Sequence, residues 1–326
     1  MVGSIYAIFK SIQSVLTIIL MIALGYILKK NKWFDDRFGK SISSLVVKVA
    51  LPVSIFTSVL KHLTKDSLLQ LSGSLIYPIG TVILSYIIAY ICIKIFKIKP
   101  GRRGIFMNAI ANANTIFIGL PLNIALFGNI SITFFLVCYI SNTVSTWAFG
   151  ILLIANDDPT KDKSSTHQKI NIKKILSPPL IGFLIGLIFL AFSIPVPEFI
   201  GSALSYLGSI VTPLALIYIG IILSDAGLSS IRFDRDTILA LIGRFIISPL
   251  IIIVLILIGT NIFSSNLPKL LIQTFVVQAA TPMLAVLPIL ANEYHCDVKY
   301  ATNLVTTSTV LFVIVVPVLM LITQYI

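Results

Sequence analysis

The length of its apolar runs constrains this chain more than any other feature. Stretches of about twenty residues with almost no charge recur from end to end, and about twenty apolar residues in helical form cross the hydrocarbon core of a bilayer. Lipid offers no hydrogen bonds, so a spanning segment must satisfy its own backbone, either as a helix or in a closed barrel. The runs are continuous and do not alternate at period two, which excludes the barrel. Only 11% of the 326 residues are charged, against roughly 25% in soluble domains, and the mean hydropathy is +1.02. The expectation is an all-α membrane protein with ten transmembrane helices. The spans are Lys10–Leu28, Ser41–Leu60, Leu68–Ile93, Gly104–Phe127, Ser131–Ile154, Pro178–Ile194, Ser202–Leu223, Thr237–Gly259, Leu270–Ala291 and Ala301–Ile322. A polar stretch at 155–177 reads as a linker between halves 1–154 and 178–326.

The net charge of +12 is mainly a topology signal. Basic residues crowd the loops after the odd-numbered spans: Lys29 to Lys40, Lys94 to Arg103, Lys161 to Lys174, Arg232 with Arg235, and Lys299. The other side carries only Lys10, Lys61, Lys65 and Lys269. The positive-inside rule then places the odd loops in the cytoplasm and both termini outside, in a multi-pass protein of the plasma membrane with no nucleic-acid partner. The opening MVGSIYAIFK lacks a basic n-region and a cleavage site, so the first run reads as a retained helix. Cys92, Cys138 and Cys296 are far apart and support neither a disulfide framework nor a metal site.

The two halves repeat. Gly25 precedes Pro52 by the same interval that separates Gly186 from Pro213, and VVKVALPVSIF aligns with GSIVTPLALIY. GLPLNIALFG recurs loosely as VLPILANEYH. Five spans per copy force the second copy to enter from the opposite side, giving two inverted five-helix repeats. That architecture belongs to secondary transporters, whose sites lie where discontinuous helices meet at the midplane. Two spans carry such interruptions. Span four holds Asn112, Ala113, Asn114 and Thr115, then Gly119 and Pro121; span nine holds Gln278, Thr281 and Pro282, with Pro288 beyond. Pro121 removes the donor for the carbonyl of Phe117, and Pro282 disfavours helix at Thr281. The expectation is a pair of crossed, broken helices 4 and 9. Their second halves begin near Asn114 and Pro282 and point electropositive N-termini at a shared anion site. Ala113, Gly119, Pro121, Pro288, Pro52 and Pro213 are the candidate crossover and hinge positions.

Two cations lie about 10 Å deep in the spans, Lys48 and Arg244. A cation at helix centre costs at least ~2.5–3.5 kcal/mol, so each needs a reason. Either it meets substrate carboxylates, which Arg grips with two N–H groups, or it snorkels or binds carbonyls freed by the broken helices. The candidate substrate-binding set is Asn112, Asn114, Thr115, Gln278, Thr281, Pro282, Arg244 and Lys48. No acidic residue lies deep in a span, Glu293 at a helix end being the nearest, so a carrier without a tightly bound coupling cation is expected. No cofactor or metal is expected. His62, His167 and His295 lie in loops, and no catalytic or phosphate-binding pattern supports an enzyme. The residues read as a permease for an organic carboxylate, a dicarboxylate if both cations contribute, with an anion channel or a membrane sensor as alternatives from another class.

NANTIFIGLPL in span four resembles the first crossover of the auxin efflux carrier family, which includes plant auxin exporters and bacterial malate and malonate permeases. ATPMLAVLPILANEYHCD resembles its second crossover. IPVPEFIGSALSYLGSIVTPLALIYIGIILSDAGL and RFIISPL are similar to its sixth to eighth spans. Ala113 stands where plant members have proline, and Lys48 is not a basic position of the family. The resemblance implies a ten-helix fold like that of the bile-acid symporters. Spans 1, 2, 6 and 7 would form a scaffold, spans 3–5 and 8–10 a transport core, with an elevator or rocking motion and a homodimer formed through the scaffold; the substrate it implies is a small dicarboxylate such as malate, with an auxin-like monocarboxylate exporter as the alternative.

Overall fold

The computed structural model describes residues 16–17, 19–35, 37–64, 71–160, 178–227, 231–262 and 267–325. The start of the first expected span and the basic stretch of the linker lie outside them. The chain is helical, and among the described residues the one β-type pairing is an isolated bridge. Helix α1 covers 19–30. Then come α2 (Phe38–His62), α3 (Leu71–Phe96), α4 (Arg103–Ala111), α5 (Thr115–Phe127), α6 (Asn129–Ala155), α7 (Pro178–Ala191), α8 (Glu198–Asp225), α9 (Arg235–Asn261), α10 (Lys269–Ala279), α11 (Leu287–Glu293) and α12 (Val298–Tyr325). By length and composition, α2, α3, α6, α8 and α9 are each able to cross a membrane. Exposed apolar side chains run the length of α3 (Ile76, Ile83, Ile87, Ile91) and α9 (Leu250, Val254, Leu257). That is the surface of helices standing in lipid, where the polar face of a soluble helix would be a cost.

The chain divides into two compact units, each drawing on both halves of the sequence. The first takes its described residues from Met1–Ser74, Ile116–Val137 and Leu176–Gly227. The second takes them from Leu75–Thr115, Cys138–Ile175 and Leu228–Ile326. Small residues set the close approaches inside each, as lipid-embedded packing requires. In the first unit, a side chain at Gly182 would strike the Pro52 backbone, and one at Gly25 or Gly220 would strike the facing helix. In the second, Gly104 admits the backbone of Leu153 and Ile154, and Gly243 admits Ile110. The core of the second unit gathers Ile105, Phe106, Ile110, Met283, Leu287 and Leu304.

The prolines act differently from expectation. Pro121 does not break its helix. A wide π-helical turn, Thr115–Gly119, runs directly into Leu120–Phe127, with Pro121 in the first turn of the α-helical part. The same arrangement recurs at Val46–Ala50 before Pro52 and at Gly243–Ile247 before Pro249. Proline lacks an N–H and its ring crowds the carbonyl four residues back. A π turn there lets the helix widen and continue. Before Pro213 the helix is disturbed at Ile210. Pro288 sits in the first turn of α11, where a missing donor costs nothing. The break of span four therefore lies at Asn112–Asn114, upstream of its proline. Span nine is non-helical over 280–286, so its second half begins at Leu287, not at Pro282.

Candidate functional site

The site is built where α4 and α10 stop. Asn112 leaves α4 in extended conformation (φ −108°, ψ 139°), and Ala280 ends α10. The two unwound strands lie antiparallel, with Ala113 opposite Met283 and the Asn114 N–H donating to the Pro282 carbonyl at 2.9 Å. Their outer edges are closed by side chains. The Asn142 amide of α6 accepts from the Ala113 N–H at 2.8 Å and donates to the Ala113 carbonyl at 3.1 Å. The Met283 N–H donates to the Ser308 hydroxyl of α12 at 3.2 Å. Backbone freed in a buried, apolar setting must find such partners, because each orphaned group costs ~1–3 kcal/mol.

Arg244 completes the structure. It stands on the π turn of α9, 1% exposed, and is the largest fully buried side chain. Its Nε donates to the Thr281 carbonyl at 2.8 Å and Nη1 to the Ile110 carbonyl at 2.9 Å. Nη2 donates to the carbonyls of Gln278 (3.3 Å) and Ala279 (2.6 Å). These are carbonyls that helix ends leave open, at the electronegative ends of α4 and α10. Four of the five guanidinium donors are thus spent on backbone, and the fifth is on Nη1. A two-pronged grip on a carboxylate is not open to Arg244 in this conformation. Of the two roles the sequence allows, the geometry has Arg244 binding freed carbonyls. No carboxylate pairs with it among the described residues.

Beside the guanidinium is a cavity of about 40 Å³, walled in part by Thr115, Ser141, Asn142, Ser248 and Gln278. It has room for a few waters, and Arg244 is the one formal charge in its wall. The expected residues distribute unevenly around it. Thr115, Gln278, Arg244 and Ala113 line it. Thr281 is buried, with its hydroxyl on the Gln278 carbonyl. Asn114 and Pro282 contribute backbone to the bridge. Asn112 turns its amide into a separate network. It donates to the Tyr86 hydroxyl at 2.8 Å and to Asn108 Oδ1 at 2.8 Å, and accepts from Ser145 at 2.6 Å. Asn108 in turn donates to the carbonyls of Gly104 and Gly150. Lys48 belongs to the first unit, where it is exposed on the π turn of α2. Asn142, Ser308 and Ser145 were missed. Their signal was present as polar clusters in the middle of apolar spans, SNTVST in α6 and TTST in α12, and intramembrane polar groups mark sites or partners.

The far end of α4 is anchored by charge. Arg102 bonds Asp297 at 2.7 Å and Asp234 at 2.9 Å, and lies 4.5 Å over the Tyr300 ring. Partial burial opposes the Asp234 charge, but hydrogen bonds from Thr237 and Arg102 outweigh it and hold that carboxyl below its ordinary range.

A model of the membrane transport protein family matches residues 10–320. The chain belongs to that family, the auxin efflux carriers. It is therefore a membrane transporter. An uncharacterized transporter of Methanothermobacter thermautotrophicus is 27% identical over 314 residues, covering 94% of this chain and 96% of the relative. An uncharacterized transporter of Methanocaldococcus jannaschii is 24% identical over 306 residues, covering 93% and 95%.

Proposed function

We propose that this transporter carries a small organic carboxylate, most simply a dicarboxylate such as malate, by alternating access. Its ten spans are then two inverted repeats in the plasma membrane with both termini outside. The observation that carries this is Arg244. A fully buried cation with no carboxylate partner among the described residues leaves net positive charge in a low-dielectric interior. Carbonyl dipoles offset only part of it. Among the described residues the adjoining cavity wall offers hydroxyls and amides and no acid, so an anion is favoured there and a cation is not. The cavity is too small for malate, so substrate enters a wider form of the site, with the core shifting in an elevator or rocking motion. Thr115 and Gln278 would then contact the anion while Arg244 supplies field and one N–H. The absence of intramembrane acids supports a uniporter or exchanger with no tightly bound coupling cation.

The test is counterflow in proteoliposomes preloaded with malate, using labelled malate, malonate, lactate and indole acetate at clamped potential. Saturable malate counterflow, inhibited by malonate and unchanged when sodium is replaced by potassium, is the expected result. Ohmic, unsaturable current would make the protein a channel. A steep sodium dependence would remove the cation-free mechanism.

A further inference from the structure

The first unit holds a cavity of its own, about 310 Å³, between the C-terminal half of α2, the end of α5, the turn at Asn129 and the middle of α8. That volume reaches the range of small-molecule sites, ~300–1,000 Å³, and far exceeds the space beside Arg244. Its wall is rich in hydroxyls, among them Ser54, Ser58, Ser209 and Thr212, and carries Lys61 and His62 in the last turn of α2. Among the described residues no carboxylate is in the wall. The C-terminal dipole of α2 would alone favour two basic residues there, and a hydroxyl lining alone would suit water.

Ser58 is the independent observation. It is 4% exposed, it lines the cavity, and its hydroxyl has no hydrogen-bond partner among the described residues. A helical Ser or Thr ordinarily bonds back to a carbonyl of the preceding turn, as neighbouring Thr57 does to Ser54 at 3.0 Å. A buried hydroxyl left open costs ~1–3 kcal/mol unless something in the cavity receives it. Lys61, three residues on, likewise has no ion-pair partner among the described residues. A donor and a cation one helical turn apart, both facing a space with no acid among the described residues, make a receptor for an anion.

We infer that this cavity is a second anion station. It takes a small organic carboxylate through the Lys61 ammonium and the Ser58 hydroxyl, on the side of the membrane opposite the basic loops. The inference rests on the carboxylate reading above for its ligand class, and on nothing else in it.

The test places a thiol in the cavity wall as Ser209→Cys in the full chain, leaving Ser58 in place, and measures modification at residue 209 by mass spectrometry. An anionic methanethiosulfonate reagent should react about tenfold faster than a cationic one of equal size, in line with focusing by a single cation in a cleft. Malate should slow the reaction, and Lys61→Gln should abolish both effects. In counterflow, Lys61→Gln alone should raise the KM for external malate several-fold and leave the maximal rate within twofold. Equal rates for the two reagents, or no protection by malate, overturn the station whether or not transport is seen. Absent counterflow with charge-selective, malate-protected labelling would instead remove the proposed function and leave the anion station standing.

Discussion

The two helix breaks reach one shape by different chemistry. The first is three residues long, Asn112–Asn114, and is made by polar side chains. Asn112 is tied to Tyr86, Asn108 and Ser145, and Asn142 holds the Ala113 backbone from both sides. The second spans 280–286 and is made of Ala, Thr, Pro, Met, Leu, Ala and Val. Its edge is held by one hydroxyl, Ser308. One break is pulled open by competing hydrogen bonds and the other is forced open by a residue that cannot continue a helix. The Arg244 side chain bonds to both sides, through Ile110 just before the first break and Gln278, Ala279 and Thr281 at the second. The comparison teaches that a broken span needs a partner for every freed backbone group, whichever agent did the breaking.

Removing the shared element should have the largest effect. Arg244→Met removes the guanidinium bonds from the carbonyls of Ile110, Ala279 and Thr281 in an apolar interior, the Gln278 carbonyl keeping its bond from Thr281, and should cost about 3–5 kcal/mol, read as a collapse of the thermal unfolding midpoint in detergent. Arg244→Lys should rescue part of it, since an ammonium has three donors but no fork. Next come the two edges. Asn142→Ala removes two hydrogen bonds and should cost about 2–3 kcal/mol, whereas Ser308→Ala removes one and should cost about 1 kcal/mol. Equal losses would erase the distinction between the breaks. Third, Pro282→Ala should let the second break gain helix, visible as slowed amide exchange across 280–286. Pro121→Ala should leave exchange at Asn112–Asn114 unchanged, because Pro121 lies beyond that break.

The smallest effect is at the Arg102 anchor, which joins the start of α4 to the loop after α11. The folded-state pKa of Asp234 is depressed. Its contribution is therefore complete above the ordinary carboxylate range, near pH 4, and is lost as pH falls through the lowered value. Asp234→Asn should remove that part of the acid sensitivity, a change below about 1 kcal/mol for so exposed a group. Melting midpoints between neutral pH and pH 3 would show it.

Most of the helical framework was legible, because length and hydropathy alone dictate a helix in lipid. That spans four and nine are interrupted was also legible from Asn112, Asn114 and Pro282. The first break lies where the sequence reading put it, near Asn114, but the resumption of span nine at Leu287 was not legible. Proline signals a missing donor, but a π turn absorbs that defect at Pro52, Pro121 and Pro249 without stopping the helix. The role of Arg244 was open for a different reason. Whether a buried guanidinium meets a ligand or a carbonyl depends on where distant helix ends point, which residues 110 and 278–281 settle only once folded. Asn142 was hidden in the same way, since an amide in an apolar span announces a partner without naming it.

The single guanidinium bonded to both breaks also restricts how this protein can move. Neither loop can be rearranged alone without stranding carbonyls that the other loop's staple was holding. Displacing one loop therefore either carries the other with it or breaks bonds to the shared guanidinium.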